Sequence, residues 1–501
     1  MKMKRYIVIF GIILMSGLFG GCDNWLDVKP ETEVNEDDMF STEQGFMDAL
    51  YGVYVNMGKS DVYGGTLQTA VDMTAQLYNY FNQSDCPFGY YKTFEYEKPS
   101  CIAVTDALWM RMYYCIGLAN NLIKFLDKPE AILICSNYDY LRGEALALRA
   151  YMHFDLVRMF APDVKQRPDY LSIPYRKTFS PEIEPQLTVA QVYEQIIADL
   201  EEAKECLKND VIVTNEPVWV GAVDKKDESD NVTDKNNAHY VSDFLKDRKY
   251  RMNYYAVLAT LARVHITLGT PADMEKAYQY AMEVINSKKF RPIQKENILT
   301  GEAKNRDILF TDEFIFGLYS KEVDAFYKNN FDESYGAHKM LVSGLSKVYG
   351  SNSTDIRQTF WYKSSYGSAY LVKHNADLYY SKEKVRMITL PEMYYIAAEA
   401  HPAEAASLLE EILESRDIRC PLSESSDRIQ VMTELLKEYR KEYLGDGQFF
   451  YAYKRMITEK AVVNPLELEI PNEGKVLVWP LPQDEIKYGD RVSEIWQTEK
   501  Q

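Results

Sequence analysis

The most specific chemistry in this chain belongs to Cys22. It follows Gly20-Gly21, which are preceded by a basic start (Lys2, Lys4, Arg5) and an apolar run from Ile7 to Phe19. That run is too short to span a bilayer as a permanent helix, so it predicts an export signal that is removed. Small residues before a cysteine suit a peptidase that leaves the thiol as an acylated first residue. Lipidation of Cys22 is the expectation, and an ordinary signal peptide with an incidental cysteine is the alternative. A second chemistry is carried by aromatic residues set among amides. Tyr78, Tyr80, Phe81, Tyr90 and Tyr91 stand with Asn79 and Asn82, and Tyr335, Trp361, Tyr362 and Tyr366 stand with Asn329, Asn330 and Asn352. Aromatic faces stack on the C–H side of sugar rings while amides and carboxylates take the hydroxyls. Peptide backbones use the same groups. Tyr78, Tyr80, Phe81, Asn82, Tyr90, Tyr91, Tyr335, Trp361, Tyr362 and Tyr366 are the expected ligand contacts, each ring having the alternative of capping the scaffold.

Reactive constellations are not legible. The six histidines stand singly, without a zinc spacing, and the chain has no G-x-S-x-G, P-loop or G-x-G-x-x-G motif. His153 reads as a packed core residue. Carboxylates are plentiful, but a glycosidase pair is defined by a distance rather than a spacing, so the sequence leaves it open. Glu144 with Arg142 and Arg149, and the Glu438-Tyr439-Arg440-Lys441-Glu442 run, read as structural ion pairs. The expectation is a binding protein without catalysis, cofactor or metal. Cys86, Cys101, Cys115, Cys135, Cys206 and Cys420 show no C-x-x-C; a disulfide among the first three and buried free thiols are both compatible with export.

The elements that must position these residues are mostly helices. The chain has 501 residues, 46% of them hydrophobic, which suffices for a large core. Its net charge of −18 argues against nucleic acid or anionic lipid as a partner. Thr188-x-x-Gln191 is a capping box, and Val192, Ile196, Leu200, Ala203 and Leu207 form one apolar face. Leu141, Ala145, Leu148, Met152 and Met159 nearly repeat that pattern. Tyr254 to Leu268, Gly269-Thr270-Pro271 and Ala272 to Ser287 read as helix, stop and helix. Pro391 to Ala400 and Pro402 to Ser415 read the same way, in the manner of tetratricopeptide pairs. Ser41 is the expected cap of a helix bearing Phe46, Leu50 and Val53. Phe314 to Tyr319 and Lys475 to Pro480 are expected to be extended. Asn209 to Lys249 is rich in Asp, Lys and Asn and reads as a surface insertion, while 320–384 is loop-rich, where binding residues gather.

Cys22, Leu26-Asp27, Pro30, Phe40 and Ala49 to Tyr54 together resemble the N-terminal region of the SusD/RagB family. In order along the chain, Ala107 to Ile123, Leu141 to Tyr151, Thr188 to Leu207, Glu438 to Gly447 and Trp479 to Ile486 resemble further blocks of that family. The resemblance implies a mainly α, SusD-like fold, with tetratricopeptide-like helix pairs as scaffold, irregular loops and a few short strands. It also implies a signal peptide over 1–21, a lipidated tether over 22–40 and a single domain over 41–501. The implied role is a surface lipoprotein of the outer membrane that binds oligosaccharides and delivers them to a SusC-like TonB-dependent transporter. Some relatives capture oligopeptides instead; a cryptic hydrolase and a purely structural lid are rival readings. Glu410, Glu411 and Glu414 replace an asparagine element of the family, and Tyr439 stands where many members carry arginine. Those departures weaken any implied specificity for starch.

Overall fold

A helix rich in alanine, from Tyr138 to Phe160, lies at the centre of the molecule and is buried on nearly every side from Gly143 onward. Such a helix is enclosed by other helices rather than laid against one layer. The computed structural model describes residues 36–80, 86–217, 219, 242–299, 302–331, 340–342, 344–350, 353–365, 368–374, 377–457 and 475–497. The main helices are α1 (Glu43–Met57), α2 (Thr66–Thr74), α3 (Pro99–Leu126), α4 (Tyr138–Phe160), α5 (Val189–Leu207), α6 (Tyr254–Leu268), α7 (Pro271–Asn286), α8 (Leu390–Ala400), α9 (Ala405–Glu414), α10 (Arg428–Tyr443) and α11 (Phe449–Ile457). Helix α1 packs on α3, α3 on α4, α4 on α5, α5 on α6, α6 on α7, α7 on α8 and α8 on α9, giving a run of neighbouring helices.

Local chemistry explains where these helices begin and how closely they approach. The Thr188 and Gln191 capping box is formed, and the predicted stripe of α5 is buried. Gly143 lets α4 approach α5: a Cβ there would lie 2.7 Å from Leu207 Cγ. Gly269 ends α6 at φ +67°, and the Thr270 hydroxyl then accepts the Asp273 N–H to start α7. Thr42 rather than Ser41 caps α1, because the Thr42 hydroxyl accepts the Gly45 N–H while Ser41 Oγ donates to Asp38 O. Phe40, expected at the end of a tether, is instead stacked on Phe125 at 4.0 Å.

The strands form two-stranded ribbons among the described residues. They are β1 (Tyr78–Tyr80), β2 (Leu171–Pro174), β3 (Gln186–Thr188), β4 (Phe314–Tyr319), β5 (Met340–Val342), β6 (Tyr362–Ser365), β7 (Ser368–Leu371) and β8 (Lys384–Thr389). The pairs are β1 with β5, β2 with β3, β4 with β8 and β6 with β7, all antiparallel. The run from Lys475, expected to be extended, turns instead. Val478 N–H closes onto Lys475 O, and Trp479 N–H donates to Met159 O at the end of α4. The six described cysteines are free thiols. No described helix is long and apolar enough to cross a membrane. Cys22 and the signal region lie outside the described residues, as does most of the 209–249 insertion. The two ends of that insertion are not surface: Asp210 and Arg248 are buried and bonded to each other.

Candidate functional site

Two buried charge clusters tie together elements around the aromatic-rich segments. In the first, Glu144 on α4 accepts from Arg248 Nη1 (2.5 Å), Arg251 Nη2 (2.8 Å) and the Tyr54 hydroxyl of α1 (2.5 Å). Its partners are thus Arg248 and Arg251, while Arg149 forks onto Asp199 at 2.6 and 2.8 Å. In the second cluster, Glu442 on α10 accepts from Arg386 Nη2 (2.7 Å), Arg357 Nη1 (3.0 Å) and Arg416 Nε (3.2 Å). Burial alone would raise the Glu442 pKa, but the guanidinium groups of Arg416, Arg386 and Arg357 outweigh it and hold the carboxyl well below the usual range. Lys373 donates to Asp446 at 2.7 Å, and burial brings its ammonium down to about 8. These charges pair with one another inside the fold, so they hold elements in place.

Aromatic residues from two segments far apart in the sequence meet on this foundation. Strand β1 pairs with β5 in the register Tyr78↔Val342, Asn79↔Leu341 and Tyr80↔Met340. Beneath the ribbon, the Tyr78 ring meets Phe331 edge-on at 5.1 Å, and Tyr327 stacks on His374 at 3.9 Å. Of the expected contacts, Phe81, Asn82, Tyr335 and Tyr366 lie outside the described residues.

Four of the expected contacts are interior in this structure, and that corrects the reading of them as open stacking faces. Trp361 is fully buried, donates its indole N–H to Ile308 O at 2.6 Å, and has the Lys373 ammonium 4.0 Å from its ring centre. Its ring shields the charge cluster, a packing use of the same flat face. Tyr91 is buried beside Trp479 at 4.8 Å, with its hydroxyl 2.6 Å from Thr105 Oγ1. Tyr78 and Tyr362 are buried too, the Tyr362 hydroxyl lying 3.4 Å from that of Tyr349. Tyr90 is half-buried, with Lys98 5.6 Å from its ring, and Asn79 is exposed with its side-chain oxygen held by Lys92. Asn79 and Tyr90 therefore remain as accessible polar and aromatic groups beside the ribbon. Asn79 went unranked in the sequence reading, although strand alternation, with Tyr78 inward, would put it on the outer face.

A cleft of about 480 Å³ lies beyond Tyr349, lined in part by Asp355, Asp417, Glu434 and Glu438. Its carboxylates are already committed: Asp355 and Glu438 to Arg357, Glu434 to Lys437 and Asp417 to Lys295. His153 is a core residue, as expected. Its Nδ1–H donates to Arg149 O, its Nε2 accepts the Arg176 N–H, and burial brings its pKa down to about 3. No group of histidine, cysteine and carboxylate side chains among the described residues is arranged to hold a metal ion. Arg357, Arg386 and Arg416 were not singled out in the sequence, since they lie far apart in it and no local spacing marks them.

The comparisons with known proteins agree with this architecture. A SusD-like family model, described as starch-binding and associating with outer membrane, matches residues 24–219. Two SusD-like proteins of Formosa agariphila are 22% and 25% identical over 70% and 41% of this chain. The chain spans 59% and 38% of the length of those two relatives. A SusD superfamily protein from Bacteroides thetaiotaomicron superposes with a TM-score of 0.66 at 20% identity, over 90% of this chain and 98% of that one. Surface glycan-binding protein A of the same species, solved in complex with laminarihexaose, gives a TM-score of 0.60 at 16% identity, over 91% of this chain and all (100%) of that one. The fold is the mainly α architecture shared by these structures.

Proposed function

From its similarity to SusD-like proteins in sequence and fold, we propose that this chain is a SusD-like protein that captures oligosaccharides at the outer membrane and hands them to a SusC-like TonB-dependent transporter, without cleaving them. In this reading Cys22 is acylated and anchors the protein to the cell surface. The observation that carries the binding role is the β1–β5 pairing, which joins two aromatic- and amide-rich segments that are far apart in the sequence. Rings supply flat apolar area at little entropic cost, and amides answer sugar hydroxyls. A tethered binder also raises the ligand concentration beside the transporter, which is the physical advantage of anchoring it.

Calorimetric titration of residues 23–501 against laminarihexaose, other neutral and acidic oligosaccharides and short peptides tests this reading. We expect one glycan class to bind, unchanged products after incubation, and about tenfold weaker binding in Asn79→Ala/Tyr90→Ala at an unaltered melting temperature. Peptide binding with no glycan binding would instead place the protein among the peptide-capturing relatives. Time-dependent cleavage products would overturn the non-catalytic reading.

A further inference from the structure

A different set of rings lies one helix away from the ribbon. Tyr319 ends β4 and is 50% exposed, and Tyr379 is 70% exposed. Tyr380 meets Tyr379 edge-on with ring centres 5.1 Å apart, while the Tyr319 ring lies over buried Tyr250 at 4.4 Å. The backbone beneath these rings is pinned. Tyr379 N–H donates to Lys304 O at 2.9 Å. The Lys384 ammonium donates to the carbonyls of Tyr379 (3.3 Å) and Tyr380 (3.1 Å). Lys384 is also the register partner of Tyr319 across β4 and β8, so the strand and the Tyr379-Tyr380 segment are tied at one point. Burial, then Asp247 and Tyr379, push the Tyr319 phenol up to about 12.

A ring left 70% exposed on a pinned backbone gains little from packing. It does present a flat face whose ordering has already been met by the fold, which is how tyrosine contributes to binding surfaces. One short helix links this place to the ribbon. Helix Val323–Phe331, nine residues and so roughly 13 Å long, starts just after Tyr319 and ends with Tyr327 and Phe331 under β1. Glu383, next to Lys384, donates its N–H to Asp324 at the start of that helix. A ligand that reaches both places must therefore be long and repetitive. Hydroxyl-tipped rings with a carboxylate nearby suit the alternating C–H faces and hydroxyls of a sugar polymer.

We propose that Tyr319, Tyr379 and Tyr380 form a second glycan-stacking platform that holds a further stretch of a polysaccharide engaged at the β1–β5 ribbon. This rests on the glycan-capture reading above. The test is affinity electrophoresis of residues 23–501 through gels containing laminarin, amylopectin, xylan or mannan, with calorimetry on the matching hexasaccharides. Tyr319→Ala/Tyr379→Ala should lose about tenfold in retardation by the polymer, because one of two linked contacts is gone. It should bind the hexasaccharide within about twofold of the unmodified protein and melt at the same temperature, as exposed substitutions do. Asn79→Ala/Tyr90→Ala should lose both. Equal retardation of the Tyr319→Ala/Tyr379→Ala variant and the unmodified protein would overturn the platform, and so would a parallel loss on polymer and hexasaccharide. Retardation of the unmodified protein by none of the four polymers would overturn it together with the glycan reading.

Discussion

Lys454 shows how a single buried charge makes this protein's stability depend on pH. Its ammonium is enclosed and donates to the carbonyls of Arg158 (2.7 Å) and Ala161 (2.6 Å) at the C-terminal end of α4. Burial lowers its pKa from 10.5 to about 7, Asp163 opposing the shift and Arg158 adding to it. Between about pH 7 and 10.5 the unfolded chain therefore holds more protons at this site than the native one, and stability from this group rises with pH across that window. Below it both states are charged and the cost of burying the ammonium is felt in full. Urea unfolding of the unmodified protein and Lys454→Met at pH 7 and pH 10 should show the unmodified protein gaining about 3 kcal/mol relative to the variant. A constant difference would show that Lys454 does not titrate there. Nothing local in Tyr453-Lys454-Arg455 announces this, because the carbonyls it meets belong to a helix almost 300 positions earlier in the sequence. The burial of His153, by contrast, was readable from its place within an apolar helical pattern.

Glu442 ties several elements to one another. It joins α10 to β8 through Arg386, to the short helix Ile356–Trp361 through Arg357, and to the end of α9 through Arg416, which also grips Glu313 before β4. Removing one partner from such a buried network leaves uncompensated charge. Glu442→Gln should accordingly lower stability by about 3–5 kcal/mol in urea unfolding at neutral pH. A change below about 1 kcal/mol would mean that the cluster relaxes around a neutral side chain. Most helices of the scaffold were legible from the sequence because their signals are local: the capping box at Thr188, the Gly269-Thr270-Pro271 stop, and apolar stripes at helical spacing. The cap of α1 was missed by one residue because Ser41 and Thr42 carry the same chemistry, and only backbone geometry separates them. The run at Lys475 differs from expectation: its β-branched residues favour strand, yet it pairs with no strand among the described residues and turns to seat Trp479 against α4.

For the whole molecule, the proposed anchoring and the proposed binding are separable. Cys22→Ala should move the protein from the membrane fraction to the soluble fraction of the cells that make it, with glycan affinity of the purified protein unchanged. Retention of that variant in the membrane fraction would sink the lipid anchor. The sequence by itself determined the helical class, carried the resemblance to SusD-like proteins and raised the expectation of lipidation at Cys22, since these rest on periodicity, caps and motifs that are local in the chain. It also marked the two aromatic-rich regions as the place to look. Only the tertiary structure decided which of their rings are available. Trp361, the residue sequence reasoning would favour as a sugar platform, is enclosed with Lys373 and Arg386 near its ring, while Tyr379 stands open. Whether a ring faces solvent or core depends on what packs over it, and here those groups come from segments distant in sequence, brought together by the β1–β5 pairing and the charge network around Glu442.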